Sequence, residues 1–199
     1  MRSAESGELI AKECDGAALH LEFVWHGDRF GHVISLIETS GRRVPLLESV
    51  EGTADESSSS PPSPPLQSLS LDPLPEGRRV ALLVGMAGRD HWSASIEPLP
   101  DAAGFAFDIA CRCSRGDIEL ASAYRLALDH RDLFAAADRS WIEARLPDGR
   151  SLVVTANGSA APSDLELKNP TTFTIAPRAG QGNATIRWKY CLQLLPSDS

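Results

Sequence analysis

Long apolar runs are missing from this 199-residue chain. No stretch of about 18 consecutive apolar residues occurs, so a membrane-spanning helix is not expected. The opening residues, MRSAESGELIAKECDGAA, hold no apolar stretch of the kind an export signal needs, and a cytoplasmic location is the expectation. Basic residues are outnumbered, 19 Lys and Arg against 27 Asp and Glu, for a formal net charge of -8. Such a surface repels a phosphate backbone, so no nucleic-acid partner is expected. The deficit is uneven: residues 1–56 carry 11 acidic against 5 basic residues, and the rest 16 against 14.

Cysteine is sparse as well. Cys14, Cys111, Cys113 and Cys191 are too few for a disulfide framework in a chain of this length. Cys111 and Cys113, two apart on a strand, have Cα atoms about 6.6 Å apart and read as buried free thiols. Cys191 falls on the polar face of its strand and is the candidate for a reactive thiol. Catalytic signatures are missing too: there is no G-x-S-x-G, no glycine-rich phosphate loop and no H-E-x-x-H. No catalytic residue, cofactor or metal is assigned from sequence.

What the chain does have is alternation. In FAFDIACRC, residues Phe105, Phe107, Ile109, Cys111 and Cys113 share one face, with Ala106, Asp108, Ala110 and Arg112 on the other. After the turn SRGD, the segment 118–126 resumes the same period. In residues 184–194, Ile186, Trp188, Tyr190, Leu192 and Leu194 share a face. Further strands are expected near 43–50, 66–71, 79–85, 91–98 and 171–176. The turn LPDGR fits a three-residue hairpin loop with a bulge at Gly149, which sets Ala144 opposite Leu152 and Ile142 opposite Val154. Only LDHRDLFAAADRS (128–140) reads as helical, for about two turns, with Asp129 as N-cap.

A dozen short antiparallel strands predict an all-β domain. A β-sandwich is expected, with an up-and-down β-barrel as the alternative. The chain 1–199 reads as one domain, interrupted at 52–65 by GTADESSSSPPSPP, a Ser/Pro-rich stretch expected to be a mobile loop.

The densest chemistry lies in WHGDRFGH, residues 25–32. Gly27 and Asp28 suit the centre of a type II′ turn, which pairs His26 with Arg29, Trp25 with Phe30 and Phe23 with His32. His20, Glu22, His26 and Arg29 then lie on a solvated face, whereas Trp25 and His32 face the core. His20, His26 and His32 cannot share a metal: the first two stand about 20 Å apart along one strand, and the third points to the other face. His32 reads as a core histidine hydrogen-bonded to a carbonyl or carboxylate. GHVISLIE (31–38) is echoed by DHWSASIE (90–97), which makes His91 the counterpart of His32, beside Trp92.

Two functions are compatible with these features. The first is a non-catalytic binding or protein-interaction module whose ligand, a small molecule or a protein, meets Trp25, Asp28, Arg29, His32, His91 and Trp92. The second is a hydrolase or isomerase with a His-based site in a β-barrel pocket, in which His32 or His91 is the base. The position of these two histidines separates them.

Overall fold

A computed structural model describes residues 7–51, 63–114, 119–127, 133–135, 139–156, 161–178 and 185–197. Among the described residues fifteen strands, numbered in chain order, form two sheets. The first runs β1 (Gly7–Ile10), β2 (Ala18–Trp25), β3 (Phe30–Ile37), β4 (Arg43–Ser49), β9 (Ser122–Leu126), β14 (Thr172–Pro177) and β13 (Ser163–Asn169). The second runs β10 (Leu133–Ala135), β11 (Trp141–Arg145), β12 (Ser151–Ala156), β15 (Thr185–Leu195), β8 (Gly104–Arg112), β7 (Asp90–Pro98), β6 (Arg79–Ala87) and β5 (Ser68–Pro73). Neighbouring strands are antiparallel throughout. Each sheet ends in two edge strands, so neither closes on itself; the sandwich holds and the barrel alternative falls. Among the described residues no helix is long and apolar enough to cross a membrane.

The alternation that marks the strands also builds the core. Phe105, Phe107, Ile109 and Cys111 of β8 and Trp188, Tyr190, Leu192 and Leu194 of β15 are buried on the inner face of the second sheet. They belong to one apolar cluster with Leu19, Leu21, Phe23, Ile34 and Phe173 of the first. Both hairpin registers come out as expected. Trp25 pairs with Phe30 and Phe23 with His32 across a turn in which Gly27 has φ 89°, and Ala144 pairs with Leu152 across a loop in which Gly149 has φ 85°. In β4, a bulge skips Leu46 between the pairs Ile34–Leu47 and Ser35–Pro45, so that two consecutive leucines are buried and proline's missing N–H falls at the irregularity.

Four expectations are overturned. The segment read as a helix contains strand β10, which pairs with β11; Asp129 lies outside the described residues. LFAAA is short and apolar enough for either period, and the open backbone groups of β11 decide in favour of a strand. The Ser/Pro stretch lies outside the described residues at 52–62; at its end Ser63, Pro64 and Pro65 are buried. There the Ser63 hydroxyl donates to the carbonyl of Ala123 and accepts from its N–H. Gly85 makes room for them, since a Cβ there would meet the Pro65 carbonyl oxygen at 1.9 Å. Cys191, expected to be accessible, is only 7% exposed. β1 and β13 were not foreseen from sequence.

The first sheet holds the other two corrections, the first on the hairpin face read as solvated. His20 is buried, its Nε2 2.8 Å from Glu8 Oε2 of β1, and Arg29 is buried too, with its guanidinium on both carboxylate oxygens of Asp28. Trp25, by contrast, stands past the last covered rung and is 40% exposed, edge-on to Phe30 at 4.9 Å. Its inward placement is therefore corrected, and so is the large stability cost that placement implies. Trp25→Ala is expected to lower the unfolding free energy by about 1 kcal/mol, the worth of one aromatic pair, as read from urea denaturation.

Candidate functional site

Two places gather polar chemistry, one between the sheets and one on the outside. Inside, His32 projects from β3 among Phe23, Phe107 and Tyr124, with ring centroids 6.2, 5.8 and 5.4 Å away. Its partner is a phenol rather than a carbonyl or carboxylate: Nε2 lies 2.8 Å from Tyr124 Oη, which is 2.6 Å from Tyr190 Oη. Ser122 accepts from the Trp188 indole at 3.1 Å. The indole can only donate, whereas either phenol can donate to the other and the role of His32 Nε2 follows its tautomer. Burial pushes the His32 pKa down to about 4 and raises both tyrosines.

Glu51 closes this cluster. Burial raises its pKa to about 7, against a hydrogen bond from Ser49 and the charge of Arg29. Its Oε2 is buried and, among the described residues, without a partner. Gly31 lies directly beneath, and a Cβ there would meet the His26 ring at 2.8 Å and Glu51 Cγ at 3.1 Å. His32, Glu51, Ser63, Tyr124 and Tyr190 border a cavity of about 20 Å³. That is room for one water, far below the roughly 300 Å³ of a small ligand pocket. The interior cluster is a hydrogen-bonded core that fixes β3, β9 and β15 to one another.

The outer face of the second sheet differs. Leu82, Val84 and Met86 of β6 stand 41%, 55% and 49% exposed in a single row. Beside them the sheet is floored by small residues, because Val84 pairs with Ser93 and Ser93 with Ala110. One rung on, Met86 pairs with His91, His91 with Arg112 and Arg112 with Thr185. The result is an open hollow of about 570 Å³ with an apolar wall, a floor of Ser93 and Ala110, and His91 and Arg112 at one end. A contiguous hollow of about 430 Å³, lined by Arg89, His91, Arg112, Cys113 and Ser114, extends that end. Farther along the face, Asp108 neutralises Arg187 and Lys189.

The residues singled out from sequence therefore divide. Trp25, Asp28, Arg29 and His32 gather at the β2–β3 hairpin, with His32 inside and Trp25 outside. His91 faces outward on the second sheet, while Trp92, its neighbour on an alternating strand, is buried edge-on to Trp188 at 6.2 Å. His32 and His91 lie on different sheets, one facing in and the other out, so they do not share a pocket, and the echo between their segments is not a structural repeat. The sequence reading missed Glu51, Tyr124 and Tyr190 inside, and Leu82, Val84, Met86, Arg89 and Arg112 outside. One signal was present: RVALLVGMA is apolar at both parities, so one of its faces had to be either covered or exposed as a patch.

These features define an antiparallel β-sandwich with an open groove on one sheet. The sequence matches no protein-family profile and no curated protein. Solved structures do match in fold. A heparinase III has TM-score 0.56 at 7% identity, over 95% of this chain and 36% of its own. A heparan sulfate lyase HepC mutant from Pedobacter heparinus has TM-score 0.58 at 11% identity, over 96% of this chain and 37% of its own. A further heparinase III structure has TM-score 0.51 at 11% identity, over 92% and 36%. At such identities the likeness is one of fold, and this chain spans a little over a third of the length of those proteins.

Proposed function

We propose that this chain is a single-domain binding module that takes its ligand in the groove on the outer face of the second sheet. The observation that carries this reading is the row Leu82, Val84 and Met86, three large apolar side chains left in solvent beside a floor of small ones. Exposed apolar surface on this scale is unfavourable unless a ligand covers it, and the groove has the volume of a ligand site, which the interior cavity lacks. The structural neighbours named for heparin and heparan sulfate support an oligosaccharide as the ligand class to try first. His91 takes part from the groove's end. Trp92 supports the floor from beneath, and Trp25, Asp28 and Arg29 form a separate tip that would serve a protein partner. The four unbridged cysteines suit a reducing, cytoplasmic setting.

The test is calorimetric titration of the full chain with heparan sulfate oligosaccharides and with a neutral oligosaccharide of equal length. The parent is compared with a Val84→Ser, Met86→Ser double variant whose fold is checked by circular dichroism. The expected result is binding by the parent that is weakened about tenfold or more in the variant, the loss of a few apolar contacts. Equal affinity in the two proteins, or no binding by either sugar, overturns the groove as the site.

A further inference from the structure

We infer that the end of this groove is an oxyanion subsite, built by Arg89, His91 and Arg112, for a sulfate, phosphate or carboxylate group carried by the ligand. The inference rests on the groove being the binding surface and adds the chemistry of what binds there. Its basis is a contrast in charge pairing. Among the thirteen described arginines eight lie within 4.0 Å of a carboxylate, and of the other five (Arg78, Arg79, Arg89, Arg112 and Arg139) only Arg89 and Arg112 border one hollow together. In a chain of net charge -8 such pairing is the expected fate of a guanidinium.

Arg89 and Arg112 are set apart by their convergence. Among the described residues neither has a carboxylate at ion-pair distance, both are exposed, and both line the same hollow of about 430 Å³. Asp90 is the nearest acid in sequence, and it accepts the backbone N–H of Ser114 at 2.5 Å instead of pairing with either arginine. That bond ties the start of β7 to the residues after β8, and so holds the two strand ends that carry the arginines.

The register supplies the rest. Arg112 and His91 are direct cross-strand partners, and Arg89 leads into β7 from the turn one residue before it. Two forked guanidinium groups and an imidazole N–H thus border one hollow, the donor set that recognises an oxyanion through charge-assisted hydrogen bonds. The wall of Val84 and Met86 continues from this end, so a ligand with an anionic group here would lay its less polar portion along that wall.

The test uses NMR of the full ¹⁵N-labelled chain, titrated with sodium sulfate, sodium phosphate or sodium acetate, each against sodium chloride at matched ionic strength. The expected result is saturable shifts at the Arg89 and Arg112 side-chain Nε–H signals and the His91 amide. The anion that binds tightest identifies the group. Arg89→Gln or Arg112→Gln should each weaken binding about tenfold, and the double variant should abolish it, since a charge-assisted hydrogen bond is worth about that factor or more. Arg79→Gln, at an exposed arginine at the far end of β6, should leave it unchanged.

Shifts spread evenly over all arginines, or anion binding that survives in the double variant, overturn the subsite. If a neutral oligosaccharide binds along Val84 and Met86 while no anion moves Arg89 or Arg112, the groove stands and the subsite falls. If an anion binds there while every oligosaccharide fails, the subsite stands and the groove reading falls.

Discussion

Trp188→Ala is expected to lower the unfolding free energy by about 3–5 kcal/mol, the range for deleting a large aromatic from a packed core. Trp188 is fully buried at the middle of β15, a strand paired on both sides. It meets Trp92 edge-on, and its indole donates to Ser122, itself 2% exposed. Truncation therefore opens a cavity on the central strand, exposes the inner face of Trp92 and leaves the buried Ser122 hydroxyl without its indole donor. Trp188→Phe keeps most of the volume and loses the hydrogen bond, so it should cost a good deal less. Urea unfolding of the two variants separates packing from polarity. A loss below about 1.5 kcal/mol for the alanine variant would mean that the second sheet is not packed as described.

The second large effect is electrostatic, and its sign is the reverse. Glu51→Gln should raise stability at pH 8 by about 2–3 kcal/mol and change it little below pH 4. Folded, the Glu51 carboxyl keeps its proton up to about pH 7, because burial disfavours its charge; an ordinary glutamate lets go near 4.5. Between those values the folded state binds more protons than the unfolded one, so this group makes stability fall as pH rises, with the full penalty present above pH 7. His32 acts in the opposite sense. Burial holds its pKa near 4 against an ordinary 6.5, so its contribution is complete above pH 6.5 and is lost as pH falls toward 4. The two slopes oppose each other between about pH 4.5 and 6.5, where the parent should show a flattened profile. Glu51→Gln should unmask the histidine, leaving a profile that only declines with acid. Thermal melts from pH 4 to 8 check this, and a Glu51→Gln variant less stable than the parent at pH 8 would show that the carboxylate is ionised and well paired.

These residues also mark how far sequence reasoning reaches. Strand faces and hairpin registers are local properties, set by alternation and by glycines with positive φ, and the pairs around Gly27 and Gly149 could be read directly. The inward face of His32, which is half-buried, could be read for the same reason. Its partner could not, because Tyr124 is 92 residues away and reaches it only through the pairing of β4 with β9. His20 illustrates the same limit. Its outward face was correct by parity, but β1 and Glu8 cover it, and alternation says nothing about what lies on top of a strand. Trp25 fails in the other direction, since parity pointed it inward at a rung the opposite sheet does not cover. The groove was illegible for a third reason: Arg89 and Arg112 look like ordinary turn and strand-end charges until the register puts them on one hollow.

The order of the second sheet also bears on how the molecule is made. β15 follows all the other described strands in sequence and yet sits between β12 and β8. Until it has been synthesised, β5–β8 and β10–β12 are two unconnected half-sheets, each offering a long row of free backbone groups where β15 will dock. Folding during translation would thus stall at a stage with two adhesive edges. Closure then depends on contacts far apart in sequence, the kind that form slowly. A chaperone that shields those edges, or a slow approach to the native state after dilution from denaturant, is what this strand order calls for.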